Sequence, residues 1–283
     1  MPRGTHTAAE EAVSAAGGAV TRSSATAAQS NLLQVSSVTK HFGGLTALDD
    51  VSFGLRSGEV LCIIGPNGSG KTTLFNSISG LIPPDAGRIY FQGREIQNLK
   101  SHQIAAAGIG RTFQSARLFP SLTILENLCL PQFVRSRTGL MRALLPNAAE
   151  RLERLAVRGR AEQLLRDLAG GQLFARRNNY PDSCSLGEQR MIEVMRVLAL
   201  DPEIVLMDEP TQGLHPTWVG AMLKLMEDVR ERGKTILFVE HKMSVVMKIS
   251  DRIVVLNSGR KICEGTPEHV RHDPEVLNAY LGT

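Results

Sequence analysis

EVLCIIGPNGSGKTTLFNSISG, residues 59–80, decides the fold of this chain. EVLCIIG is an apolar run of strand length, a glycine-rich turn follows it, and TTLFNSISG carries a helical pattern. The turn, GPNGSGKT at 65–72, matches G-x-x-x-x-G-K-[ST] and lies between a strand and a helix, as that motif requires. Gly65, Gly68 and Gly70 let the backbone close around phosphate groups. Pro66, Asn67 and Ser69 complete the loop, with amide N–H groups turned inward at the start of the helix. Lys71 is placed to bind β- and γ-phosphates, the Thr72 hydroxyl to ligate Mg²⁺, and Thr73 to add a supporting phosphate contact.

Outward from that loop, RIYFQG (88–93), EIVLMDE (203–209), TILFVEH (235–241) and DRIVVLNSG (251–259) are further short apolar runs. Helical stretches such as PTWVGAMLKLMEDVRER (216–232) separate them. The alternation predicts an α/β fold of βαβ units around a mainly parallel sheet. LLQVSSVTKHF (32–42) and DDVSFGLRSG (49–58) read as strands of an antiparallel piece. Between about Phe119 and Tyr180 no strand-like run occurs, and Leu152, Leu155, Leu164, Leu165 and Leu168 recur at helical intervals. An inserted helical lobe over about 115–180 is the expectation. Residues 1–31 are rich in Ala, Ser, Thr and Gly, and after Met1 their largest apolar residue is Val. Such a segment cannot bury enough surface to offset its ordering entropy, so it is expected to be a disordered tail ahead of one domain, 32–283.

No apolar run is long enough to cross a bilayer, since VLALDPEIVLM is cut by Asp201, Pro202 and Glu203. The net charge of +4 comes from basic and acidic residues mixed along the chain, which is weak evidence for nucleic acid and mild encouragement for an anionic partner; no nucleic-acid partner is expected. Cys62, Cys129, Cys184 and Cys263 are far apart with no CxxC pair, which predicts a reduced, cytosolic chain without structural zinc.

IVLMDEP, 204–210, puts two carboxylates at the end of a buried type of strand. Ligands gather at that edge of an open α/β sheet, so Asp208 can approach Mg²⁺ while Glu209 faces the γ-phosphate and takes a proton from the attacking water.

The order KHFGGLTALDDVSF (40–53), GPNGSGKTT (65–73), RTFQ (111–114), CSLGEQRMIEVMRVLALDPEIVLMDEPTQGLHP (184–216) and FVEHKMSVVM (238–247) resembles the ATP-binding subunit of an ABC transporter over about residues 32–283. That resemblance implies a P-loop ABC ATPase fold, with an antiparallel β subdomain and an inserted α-helical subdomain on a mainly parallel core. CSLGE then resembles the family signature, so Ser185, Gly187 and Glu188 are implied to reach ATP held by the opposite subunit of a head-to-tail dimer. Cys184, Leu186 and Glu188 depart from the usual LSGGQ. Ser185 and Glu188 also read as an S-x-x-E capping box, which is compatible with that role. Gln114 is similar to the glutamine that reaches Mg²⁺ and the attacking water, and His241 to the histidine that bonds the γ-phosphate. Phe42 is similar to the aromatic that stacks on adenine; a core or turn phenylalanine is its other reading. His215 stands where the family has Asp in the loop between the two sites.

FGGLTAL, GIGRTFQSARLFPSLTILENL (108–128) and EGTPEHVRHDPEVLNAYLG (264–282) resemble the ATPases of branched-chain amino acid importers. The resemblance implies ATP and Mg²⁺ as ligands, integral membrane permease subunits, and a second ATPase subunit or a second copy as partner. It also implies an extracytoplasmic solute-binding protein working indirectly, and a peripheral place on the cytoplasmic face of the membrane. An exporter ATPase of the lipopolysaccharide-extraction type shares these motifs and stays open as the alternative, as does a soluble ABC ATPase outside transport.

Overall fold

A computed structural model describes residues 31–112, 118–135, 148–168 and 170–281. Gln114 and the expected tail, apart from Asn31, lie outside the described residues. β1 (Leu33–Phe42), β2 (Leu45–Leu55), β4 (Ala86–Phe91) and β5 (Arg94–Glu95) form an antiparallel sheet in the order β2-β1-β4-β5. The second sheet comprises β3 (Val60–Ile64), β6 (Ile109–Arg111), β7 (Ile204–Asp208), β8 (Thr235–Val239), β9 (Arg252–Asn257) and β10 (Arg260–Gly265). Its order is β10-β9-β3-β8-β7-β6, and every pair is parallel except β9 with β10 at one edge.

The parallel strands are apolar throughout because both faces are covered. Side chains alternate across a strand, and β3 divides accordingly: Val60, Cys62 and Ile64 join one core, Leu61 and Ile63 the other. The first core also takes the buried sides of α6 (Leu186–Leu198), α7 (Pro216–Glu231) and α8 (Met243–Ile249). The second takes Leu74, Phe75 and Ile78 of α1 (Lys71–Ile78), Ile104 of α2 (Ser101–Ala107) and the inward residues of the antiparallel sheet. The parallel sheet is therefore the middle layer of three.

RIYF does not join the parallel sheet, as its apolar run suggests. It lies in β4 and pairs antiparallel with β1, from Leu33 opposite Phe91 to Ser36 opposite Arg88. Ile89 and Phe91 are buried while Arg88 is exposed and Tyr90 half-buried, the alternation of a strand covered on one face only.

Between β6 and α6 the described elements are helices: α3 (Ile124–Arg135), α4 (Ala148–Leu168), α5 (Gly170–Ala175) and one 3₁₀ turn at Pro181–Ser183. On α4 the helical spacing is right, but the core face is carried by Val157, Ala161, Leu165 and Leu168; Leu152 and Leu155 are exposed. Asn127 of α3 is fully buried and holds the preceding loop. Its Oδ1 accepts from Phe119 N–H at 2.9 Å, and its Nδ2 donates to the carbonyls of Phe119, Leu122 and Thr123 at 3.0–3.1 Å. No helix among the described residues is long and apolar enough to cross a membrane.

Candidate nucleotide site

The site forms where β3, β8 and β7, neighbours in the sheet, reach their carboxyl ends. Ile63 pairs with Val239 and Val239 with Asp208, so the phosphate loop, the Glu240–His241 pair and Glu209 all leave the sheet at one level. The loop after β3 needs glycine where the backbone passes closest to its neighbours. A Cβ on Gly65 (φ +151°) would sit 2.1 Å from Leu256 O, and one on Gly70 (φ +101°) 2.5 Å from Ala47 O. Gly70 caps α1, whose first residue is Lys71.

Lys71 is buried, and its Nζ donates to the carbonyls of Gly65 and Pro66, each at 2.8 Å. Burial pulls the ammonium below the usual lysine range, and the carboxylates of Glu209 and Asp208 oppose that shift. Asp208 is buried as well, and Arg111 at the end of β6 pairs with its Oδ2 at 3.1 Å. Arg111 also donates to Asn76 Oδ1 at 2.8 Å and to Ser79 Oγ at 2.7 Å, so one guanidinium ties β6, α1 and β7 together beneath the loop.

Glu209 turns out of β7 with φ +49°, a left-handed conformation that a residue with a Cβ rarely adopts. Its N–H is held by Val239 O at 3.0 Å, and its Oε1 lies 2.9 Å from Nε2 of His241. Oε2 is buried and has no hydrogen-bond partner among the described residues. Glu240 faces the other way: its carboxylate is buried, accepts from Thr211 N–H at 3.2 Å and from the Thr211 hydroxyl, and receives His241 N–H at 2.9 Å. With Lys242 Nζ donating to Thr211 O at 3.1 Å, the loops after β7 and β8 are buttoned to each other.

One cleft joins Asn67 through Thr73, Glu209 and His241 to a hairpin tip carrying Phe42, Leu45 and Thr46. Phe42 ends β1 opposite Leu45, across a Gly43–Gly44 turn in which Gly43 has φ +58°. Phe42 is 46% exposed and so is not a core residue, and the Lys40 ammonium lies over its ring, 5.6 Å from the centroid.

Ser185, Gly187 and Glu188 do not line this cleft. Ser185 is the N-cap of α6: its Oγ accepts from Glu188 N–H at 3.3 Å, and Glu188 Oε2 accepts from Ser185 N–H at 2.7 Å. The capping box is therefore present. Glu188 Oε1 also takes Arg176 Nη1 at 2.7 Å, and Arg176 reaches Ser183 O at 2.5 Å, which anchors the stretch just before the cap. Gly187 has a packing role, since a Cβ there would meet the Trp218 ring at 2.2 Å. His215 is the N-cap of α7 and accepts from Thr217 N–H.

Arg111, Glu240, Arg176 and Trp218 belong to the site's support, and sequence reasoning assigned none of them a role. RTFQ carries Arg111, FVEH carries Glu240, the first turn of α7 carries Trp218 and ARRNN (175–179) carries Arg176, but no local pattern names their partners.

Residues 48–212 match the family described as ABC transporter, and residues 260–283 match the one described as branched-chain amino acid ATP-binding cassette transporter. The high-affinity branched-chain amino acid transport ATP-binding protein LivG of Salmonella typhimurium is 40% identical over 252 residues, 89% of this chain and 98% of its own length. BraF of Pseudomonas aeruginosa, described in the same words, is 40% identical over 253 residues, with the same coverage of both chains. Among solved structures, the ADP conformation of MJ1267, an ATP-binding cassette of an ABC transporter, has a TM-score of 0.77 at 30% identity, covering 90% of this chain and all of that one. The dimeric post-hydrolysis state of the cassette MJ0796, bound to ADP and Pi, has a TM-score of 0.69 at 29% identity, covering 83% of this chain and 98% of that one. A phosphate loop, a strand-end carboxylate held by the next strand's histidine, and similarity along nine-tenths of the chain agree: this chain belongs to the ABC transporter family, as one of its ATP-binding cassettes.

Proposed function

We propose that the chain is the ATP-hydrolysing subunit of an importer that takes up branched-chain amino acids or related small polar solutes through separate membrane permease subunits. The observation that carries the hydrolytic part is the free, buried Oε2 of Glu209 in the phosphate-loop cleft. The printed descriptions of LivG and BraF, and the match at 260–283, support the solute class.

In this reading Lys71 exchanges its two loop carbonyls for phosphate oxygens, and the amides of residues 67–73 surround those oxygens. Phe42 stacks on the base. Glu209 accepts a proton from the attacking water at Oε2, and His241 keeps Oε1 occupied so that the carboxylate cannot rotate away. The donors suit Mg²⁺, a hard ion that prefers oxygen: Thr72 carries an exposed hydroxyl and Asp208 a buried carboxylate. Thr72, Asp208 and Gln114 would hold it, and it would supply charge neutralisation along the phosphates.

Ser185, Gly187 and Glu188 serve the site of a partner, either a second ATPase subunit or another copy, with the positive end of α6 facing its phosphates. The helical lobe over about residues 115–180 is where a permease docks, and the chain sits peripherally on the cytoplasmic face of the membrane. A solute-binding protein outside the membrane delivers the solute, and no nucleic acid takes part.

The test is purification of the tagged protein from host membranes with mass spectrometry of its companions. Two multi-span proteins and a sibling ATPase support the importer. Companions of an export machine, or ribosomal proteins without any membrane protein, overturn it and leave the ATPase chemistry standing.

A further inference from the structure

The cysteine spacing predicts no metal site, yet among the described residues the fold gathers one set of metal-ligating side chains outside the nucleotide cleft. Cys263 lies on β10; Thr266 then caps α9 (Pro267–His272), and Asp273 separates α9 from α10 (Pro274–Leu281). This path brings Cys263, His269 and Asp273 together, with one donor atom from each within 4.8 Å of the other two.

Each member is set in place by contacts of its own. A register shift between Lys261 and Cys263 breaks the regular pairing of β10 with β9, and Cys263 is buried. Asp273 Oδ1 accepts from the N–H groups of Glu275 at 2.9 Å and Val276 at 3.1 Å, which orients the carboxylate. The His269 ring lies close against Gly265, where a Cβ would approach its Cδ2 to 2.4 Å.

A thiolate, an imidazole and a carboxylate are the donors that a borderline divalent ion selects, and they are a poor set for Mg²⁺ or Ca²⁺, which prefer all-oxygen shells. Tetrahedral bonds of about 2.0–2.3 Å set ligand atoms about 3.3–3.8 Å apart, so the triangle closes with shifts of about 1.5 Å or less. Cys263 forms the buried floor, while His269 is exposed and leaves the outer side open for a water as fourth ligand.

We propose that Cys263, His269 and Asp273 form a three-ligand site for a divalent metal ion of the zinc class, which fastens the C-terminal helices α9 and α10 to β10. The site shares no residue with the nucleotide cleft.

The test uses the untagged full chain, stripped with chelator, held in a non-thiol reductant without nucleotide, and titrated with Co²⁺. The expected result is one equivalent bound with a thiolate-to-cobalt charge-transfer band and tetrahedral visible bands, displaced by stoichiometric Zn²⁺. Cys263→Ser removes the charge-transfer band, and Cys184→Ser keeps it. His269→Gln, at an exposed position where folding is not at issue, weakens cobalt binding by about tenfold or more and leaves Mg²⁺-dependent ATP hydrolysis unchanged. Absence of a charge-transfer band in excess cobalt, or a band that survives Cys263→Ser, overturns the proposal and leaves the three residues as a hydrogen-bonded helix junction.

Discussion

Nε2 of His241 stands 2.9 Å from Oε1 of Glu209, and the other oxygen of that carboxylate is buried without a partner. Exchange of Glu209 for Gln keeps the size and the contact to His241 but removes the proton acceptor. Glu209→Gln is expected to lower ATP turnover by about 10²–10⁴-fold with nucleotide affinity kept. Single-turnover hydrolysis alongside equilibrium binding checks it, and undiminished turnover would remove Glu209 from the chemistry.

His241→Ala frees Oε1 without touching the phosphate loop. Turnover should fall by about 10–100-fold while KM for ATP changes little, because the lost contact positions the carboxylate rather than the nucleotide. A rise in KM with unchanged kcat would assign His241 to binding instead.

Lys71→Ala takes away the ammonium that holds the carbonyls of Gly65 and Pro66. Nucleotide affinity is expected to collapse, by about 100-fold or more, because a charge-assisted contact to phosphate is lost and the loop loses its internal tie. Fluorescent-nucleotide titration with intact circular dichroism decides the matter; unaltered affinity would refute the phosphate-cradle assignment.

Gly187→Ala tests whether the signature-like glycine is there for packing. In a helix this exchange ordinarily gains up to about 1 kcal/mol, but here the new methyl meets the Trp218 ring at 2.2 Å. A drop in Tm is expected, and Trp218→Leu in the same chain should restore much of it. A stabilised Gly187→Ala protein with lost activity would point to ligand contact alone.

Burial pushes the Cys129 thiol up to about 11, against 9.0 for a free thiol. Its pKa is raised on folding, so the stabilising contribution is complete below pH 9.0 and is lost as pH rises towards about 11. The urea midpoint should fall over that window, and Cys129→Ser should make the fall shallower. Parallel slopes for the two proteins would show that the thiol does not contribute.

The phosphate loop was legible because strand, turn and helix there are contiguous, and the three glycines and Lys71 mark their own positions. The α/β class followed from apolar runs such as EIVLMDE and TILFVEH, which form β7 and β8 side by side. RIYF misled because an apolar tetrapeptide does not say whether one face or two will be covered. Leu152 and Leu155 have the right period for a helix, but period cannot tell which turn of α4 leaves the core. The supports of the site were hidden for another reason: Arg111 meets Asp208 across 97 residues, and Thr211 meets Glu240 across 29. Pairings at that range come from sheet order, which no single window of sequence contains.

The hairpin tip sets how choosy the chain can be about its fuel. Phe42 offers an exposed ring with the Lys40 ammonium over it, and stacking on such a ring accepts any base, since it reads no pattern of donors and acceptors. In the proposed function the other end of the cleft addresses phosphates common to every nucleoside triphosphate. Discrimination between adenine and guanine nucleotides is therefore expected to be shallow in the isolated cassette, so that the more abundant nucleotide in the cell, rather than a lock in the protein, decides which one is consumed.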